Sequence, residues 1–414
     1  MLTSKYKTQA LIASVEEKLA NSFSLIDSNL YQLHERVLNS FLDNNVSATH
    51  MLQSTGYGYD DMGRDTLDAV FAQAMEAEDA IVRPQIVSGT HAIAVALQGL
   101  LEPGDTLLYA TGKPYDTLEE VIGIVEQIGS LISRGVRYKE IGLIDQRSIN
   151  IEAILAEIEK DASIHVVAFQ RSAGYAWRFG LSPEEIGEAT KAIHAKRPDI
   201  FVFVDNCYGE FASVHEPTYY GVDLMAGSMI KNAGGGIAPT GGYLVGSKIA
   251  VEKASYALTA PGIGRHCGSY EQGYRLFYQG LFNAPTVVAS SLKTALLFAG
   301  VFAELDYPVM PPVDKNRTDI IQSIQFGNRE GLLNFCKALQ SASPIDGMAV
   351  PEPSPMPGYK HEVVMAAGAF VQGSSIELSA DGPLCEPYIA YFQGGLNYAH
   401  GRLACIHVAD QFVK

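Results

Sequence analysis

Ile200-Phe201-Val202-Phe203-Val204-Asp205-Asn206 decides the fold of this chain. A strand with one solvated face alternates apolar and polar residues; here the apolar residues run without interruption from Ile200 to Val204. Such a strand is buried on both faces, as in a parallel sheet covered by helices on each side. Asp205 closes it at the carboxyl end, where open α/β sheets hold their ligands. A buried carboxylate without a partner is costly. Asp205 therefore either caps the following turn or pairs with a cationic N–H group.

Outward from this strand the chain alternates between strands and helices. Upstream lies His165-Val166-Val167-Ala168-Phe169, closed by Gln170-Arg171-Ser172, and then a helix over Pro183–Ala195 with Ser182 as N-cap. Further back, Asp105–Tyr109 reads as a strand, helices are predicted over Thr117–Gly129 and Ile151–Lys160, and Tyr115 sits at a strand-to-helix opening. An aromatic face there can cover a flat ring, or it is a turn tyrosine beside Pro114. Ser88-Gly89-Thr90-His91 opens an apolar helix after a strand-like end. Free N–H groups at such a helix start bind phosphate, unless Ser88 or Thr90 merely caps it. No Walker pattern is present, which argues against a nucleotide triphosphatase.

Downstream, the apolar Val222–Ala226 leads into Gly227-Ser228-Met229-Ile230-Lys231-Asn232-Ala233-Gly234-Gly235-Gly236, and a further strand follows at Tyr243–Gly246. A lysine between two strands, with a hydroxyl three residues before it and glycines after it, suits a covalently held cofactor. Pyridoxal phosphate needs such an amine and a partner for its ring nitrogen. The pattern from about 80 to 246 predicts a large, doubly wound, mainly parallel α/β domain. Three regions are expected: 1–65, with N-terminal helices over Ala10–Ala20 and Leu30–Leu42 and an arm ending at an Asp65 N-cap; 66–285, the large domain; and 286–414, a smaller C-terminal α+β domain with helices over Arg329–Ser341 and Gln393–Leu403.

Lys+Arg 30 against Asp+Glu 46 gives a net charge of −16, which speaks against a nucleic-acid partner. The five cysteines are widely spaced and the ten histidines form no H-E-x-x-H, so neither a disulfide framework nor a metal site is expected. Met1–Asn21 lacks the apolar core of a signal peptide, and Val287–Leu305 carries Lys293 and Glu304, as a buried helix would. A cytoplasmic protein without a membrane partner is expected.

Ser88-Gly89-Thr90, Tyr115, Asp205 and Ser228-x-x-Lys231 together resemble the fold-type-I pyridoxal phosphate enzymes, most closely the cystathionine/methionine lyase group. GYGYDDMGRDT (Gly56–Thr66), RPQIVSGTHAI (Arg83–Ile93), PYDTLEEVIG (Pro114–Gly123) and QGGL (Gln393–Leu396) are similar to its aluminium-resistance, or methionine gamma-lyase-like, branch. The resemblance spans nearly the whole chain. It implies covalent pyridoxal 5'-phosphate on Lys231, which also acts as the base for the alpha proton. Asp205 would keep the ring nitrogen protonated and Tyr115 would stack on the ring. Gly89, Thr90 and Ser228 would hold the phosphate, with Ser88 and His91 as neighbours.

Where the better-known lyases carry a Tyr-x-Arg arm reaching the partner's phosphate, Asp61 stands two residues after Tyr59, and Arg64 is the nearest substitute. Gln170, Arg171 and Ser172 occupy the place of an asparagine near the ring hydroxyl, so Arg171 is a cofactor-binding candidate. The arginine for the substrate carboxylate is matched loosely by Arg402, with Arg265 and Arg178 competing. The implied activity is a lyase on a small, sulfur-containing amino acid, in a homodimer or homotetramer with shared sites. An aminotransferase, or a stress-response protein on this fold with little turnover, are the alternatives.

Overall fold

The computed structural model describes residues 2–356 and 359–413. The chain opens with α1 (Leu2–Asp43), one unbroken helix where the sequence predicts two. Residues 21–29 hold neither proline nor glycine, and Phe23 and Ile26 carry the apolar stripe across the gap. The first half of α1 buries Ile12, Val15 and Leu19 in one core, and the second half buries Leu33 and Val37 in another.

The large unit follows as α2 (Met62–Ala74), β1 (Asp79–Arg83), α3 (Gly89–Leu100), β2 (Thr106–Tyr109), α4 (Asp116–Ile122) and β3 (Arg137–Glu140). It continues with α5 (Ile151–Lys160), β4 (Ile164–Gln170), α6 (Pro183–Lys196), β5 (Phe201–Asp205), β6 (Leu224–Ser228), β7 (Gly242–Gly246) and α7 (Lys248–Leu258). Its seven strands form one sheet in the order β1-β7-β6-β5-β4-β2-β3. Strands β3, β2, β4, β5 and β6 pair in parallel and β7 runs against its neighbours, so the sheet is mainly parallel. Val202, Phe203 and Val204 of β5 are fully buried, as their uninterrupted apolar run requires.

Local chemistry moved several boundaries. Asp61, not Asp65, caps α2: its carboxylate accepts the Arg64 N–H at 3.1 Å and the Tyr274 hydroxyl at 3.1 Å. Helix α4 stops at Ile122 because Gly123 takes the left-handed conformation of a C-terminal stop. Ser182 forms the capping box of α6 with Glu185.

Helix α8 (Arg275–Glu304) runs without interruption through position 285 and leads to the second unit. It is long and apolar enough to cross a membrane by length and composition, yet 78% of its apolar window is buried inside the protein. The second unit comprises β8 (Val309–Met310), β9 (Gln322–Gln325), α9 (Arg329–Ser341), β10 (Val363–Ala366), β11 (Ser379–Pro383), β12 (Ile389–Gln393) and α10 (Tyr398–Ala409). Its five strands pair antiparallel in the order β10-β11-β12-β9-β8. The predicted helix start at Gln393 is displaced to Tyr398. Gln393 ends β12, Gly394 and Gly395 turn the chain with positive φ, and Asn397 caps α10.

One close approach fixes the loop after Lys231. The backbone of Gly234 and Gly235 lies directly against Gly280 of α8, where a Cβ on Gly280 would overlap the Gly234 carbonyl oxygen. Gly280→Ala is therefore expected to lower stability by about 1–3 kcal/mol through overpacking, read from the midpoint of urea unfolding.

Candidate active site

Parallel register brings the chemistry together. Gln170 of β4 lies opposite Asp205 of β5, and Asp205 lies opposite Ala226 of β6, so these carboxyl ends form one edge. Helix α3 starts against that edge. A Cβ on Gly89 would stand 3.2 Å from the Cys207 Sγ and 3.4 Å from the Ser228 Cβ, so glycine permits the approach. Ser88 caps α3 by accepting the His91 N–H at 3.0 Å, and the His91 Nδ1 accepts the Val87 N–H at 3.1 Å. The caps shape the turn and leave its first N–H groups and the Thr90 hydroxyl, which pairs with Thr117 at 3.1 Å, to face an anion.

Lys231 follows β6, its N–H bonded to the Ser228 carbonyl at 3.3 Å. Its Nζ lies 4.0 Å from the centroid of the Tyr208 ring. Tyr208 and Phe211 both have positive φ, and this strained turn carries Tyr208 back over the lysine. The Asn232 side chain ties the lysine loop to the same turn by donating to the carbonyls of Tyr208 at 2.9 Å and Glu210 at 3.1 Å. Burial alone lowers the pKa of the Lys231 ammonium. The acidic groups of Cys207, Tyr208, Asp205 and Glu210 outweigh burial and hold it above its ordinary value. Burial holds Asp205 above its ordinary value, and Lys231 and the Cys207 N–H offset this only in part.

Sequence reasoning missed Glu210, Tyr208, Tyr175 and Tyr359. Tyr208 and Glu210 follow directly on the Asp205-Asn206-Cys207 run, a signal that was available; the others come from distant loops. Glu210 is fully buried, accepts the Tyr243 hydroxyl at 2.7 Å on Oε1, and has no partner for Oε2 among the described residues. Burial pushes its carboxyl up to about 8. Tyr115 donates its N–H to the Gln170 Oε1 at 3.0 Å, and its hydroxyl is bonded to that of Tyr359. Burial raises the Tyr115 phenol well above the ordinary tyrosine range, so it stays protonated.

The residues at this edge fit pyridoxal phosphate. Gly89, Thr90 and Ser228 make a cradle that a side chain at 89 would fill, Lys231 is an amine held in place, and Asp205 is a buried carboxylate suited to a ring N–H. Among the described residues no group of three or more His, Cys, Asp or Glu side chains is placed to hold a metal ion.

The arginines depart from expectation. Arg171 is turned away, fully buried and bonded to the Glu216 Oε2 at 3.0 Å and the Asn206 Oδ1 at 2.8 Å, a structural ion pair. Arg64 donates to the carbonyls of Gly58 at 2.7 Å and Gly268 at 3.2 Å and pairs with Asp65, so it locks the arm to its own chain. Tyr59 of that arm is 64% exposed and stacks on Tyr57, outside the site of its own chain. Arg402 is held by Glu16 of α1 through two oxygens, and Arg265 by Asp79 at 2.5 Å, so neither is free for a substrate. Arg178 alone lines a cavity of about 430 Å³ with Tyr115, Gln170 and Tyr175, and donates to the carbonyls of Phe179, Gln170 and Ser172.

Two consequences are measurable. Glu216→Ala strands the Arg171 guanidinium and is expected to cost about 3–5 kcal/mol in urea unfolding, while Arg171→Met with Glu216→Leu recovers most of the loss. The folded-state pKa of Glu210 lies above its ordinary value of 4.5. The folded protein therefore binds that proton more tightly, and stability falls as pH rises between about 5 and about 8. In cofactor-free protein Glu210→Gln should flatten that slope, read from unfolding midpoints across the window.

A family model described as Methionine gamma-lyase matches residues 8–413. A curated relative from Bacillus subtilis (strain 168), called uncharacterized protein YnbB, is 48% identical over 402 residues, covering 97% of this chain and 95% of the relative. The solved structure of a carbon-sulfur lyase involved in aluminum resistance from Clostridium novyi NT is 46% identical with a TM-score of 0.95, covering 98% of this chain and 96% of that one. A methionine gamma lyase from Micromonospora echinospora shares the fold at 17% identity, with a TM-score of 0.58 over 88% of this chain and 93% of its own.

Proposed function

The chain belongs to the methionine gamma-lyase family, and from that premise we propose that it is a pyridoxal phosphate-dependent carbon–sulfur lyase acting on a small, sulfur-containing amino acid. The observation that carries this reading is the meeting of Gly89, Ser228, Asp205 and Lys231 at one edge of the parallel sheet. Relatives named as lyases of carbon–sulfur bonds support the reaction class.

When bound, pyridoxal phosphate supplies an electron sink for the carbanion at an amino acid's alpha carbon. The chain's own residues do the rest. Gly89, Thr90 and Ser228 would hold the phosphate at the start of α3, and the Asp205 carboxylate would keep a proton on the ring nitrogen. In its neutral amine form the Lys231 Nζ would take the alpha proton, steadied over Tyr208 and by the Asn232 tie to the 208–210 turn. Tyr115 keeps its phenolic proton and would give it to the departing sulfur. Exposed Tyr59 is free to reach the phosphate of a second subunit in a cytoplasmic homo-oligomer with shared sites.

The purified protein should show an absorbance band near the visible edge that borohydride fixes to the chain, and Lys231→Ala should lose both. With a panel of sulfur amino acids, release of ammonia and a 2-oxo acid is the expected result. Conversion of the cofactor to its amine form alone would identify an aminotransferase instead.

A further inference from the structure

A second phenol meets the Tyr115 hydroxyl. Tyr359 belongs to the small unit, between α9 and β10, and its hydroxyl is bonded to that of Tyr115. Its segment is anchored where Ser354 and Val363 exchange backbone hydrogen bonds at 3.1 and 3.0 Å, and the Tyr359 N–H donates to the Met356 carbonyl at 3.1 Å. Tyr175 packs against both rings, with centroids 5.6 Å from Tyr115 and 5.5 Å from Tyr359. Tyr391 braces Tyr175, stacked at 4.9 Å, and donates its hydroxyl to the Tyr175 carbonyl at 2.6 Å.

The two bonded phenols line different spaces. Tyr115 lines the cavity of about 430 Å³ that also carries Gln170 and Arg178. Tyr359 lines a second cavity of about 390 Å³, and Tyr175 and Asp116 border both. The second cavity reaches the surface, where its lining residues Lys360, His361 and Glu386 are exposed. Burial holds the Tyr115 phenol well above the ordinary tyrosine range. A phenolate left at Tyr115 is therefore a buried anion, costly unless a neighbouring donor answers it. The Tyr359 O–H is such a donor.

We propose that Tyr359 is the second member of a proton relay and returns to Tyr115 the proton that Tyr115 gives to the departing sulfur. The inference rests on the lyase reading and on Tyr115 as the acid within it. As the carbon–sulfur bond breaks, its electron pair goes to sulfur, and the Tyr115 O–H supplies the proton that makes a thiol. The Tyr359 O–H passes its proton to the Tyr115 oxygen, and water in the outer cavity restores Tyr359. The hydroxide left by that water is balanced by the alpha proton that Lys231 has taken up. Tyr359 acts through Tyr115 and touches no reacting atom. A residue that merely held the Tyr115 ring would serve every leaving group alike, whereas a relay serves only a leaving group that needs a proton.

Initial rates of 2-oxo acid release from S-ethylcysteine and from β-chloroalanine by the cofactor-loaded protein test this. Ethanethiolate leaves readily only when protonated, whereas chloride departs without a proton. Tyr359→Phe keeps the ring and removes the hydroxyl. It is expected to lower kcat on S-ethylcysteine by on the order of tenfold and to leave β-chloroalanine within about twofold of the unsubstituted protein. Added to Tyr115→Phe, it should cost nothing further, because the two hydroxyls act in series. Its urea unfolding midpoint and its borohydride fixation at Lys231 should be unchanged. Equal loss on both substrates, no loss on S-ethylcysteine, a further loss on top of Tyr115→Phe, or failed fixation in Tyr359→Phe would overturn the proposal. Failure of the underlying reading is distinguishable and removes the relay with it. The unsubstituted protein would then release 2-oxo acid from neither substrate, or Tyr115→Phe would leave S-ethylcysteine cleavage intact.

Discussion

An ammonium group at the carboxyl edge of a parallel sheet has to be answered by the groups around it, and much of this structure is arranged to do so. Lys231 meets the Tyr208 ring, and the acidic groups of Asp205 and Glu210 act on it. Bringing those groups there requires a turn with positive φ at Tyr208 and Phe211, which costs backbone energy that the surrounding hydrogen bonds offset. It also requires the bare glycines that let α8 approach the lysine loop. The same carboxyl edge carries the start of α3, whose dipole and free N–H groups favour an anion. A cationic amine and a helix N-terminus thus stand side by side at one edge of the sheet.

The two sheets are joined by helices rather than by a loose linker. Helix α1 contributes to both hydrophobic cores, and α8 passes from the large unit into the small one without a break. This binds the position of β11 and β12 to that of β4 to β6. Tyr175 and Tyr391 show the result: residues from the two units stack and share a hydrogen bond.

Arginine placement illustrates a general limit on reading sites from sequence. Arg171, Arg265 and Arg402 are each compatible with binding an anion, and each is instead bound to a carboxylate of its own chain. Their partners Glu216, Asp79 and Glu16 lie 45, 186 and 386 residues away. A guanidinium's function depends on what has already taken its N–H groups, and the tertiary fold makes that choice. Arg64 is a milder case, because its carbonyl partner Gly58 lies within the same arm while Gly268 does not.

The sequence by itself determined the α/β alternation, the mainly parallel sheet around Ile200–Asp205, the capped helix at Ser88 and the lysine loop at Lys231. These features are local: apolar periodicity, capping residues and glycine positions act over a few residues and leave a readable pattern. Helix α9 has the bounds read from its sequence, while α1, α4 and α10 differ where a continuous stripe or a glycine turn decided the end. Only the tertiary structure decided which arginines are already engaged, that Tyr208 covers Lys231, and that Tyr115, Tyr175 and Tyr359 gather into one cluster. Those outcomes depend on contacts between separate segments of the chain, from tens to hundreds of residues apart, and buried charge and close packing leave no mark in the local pattern.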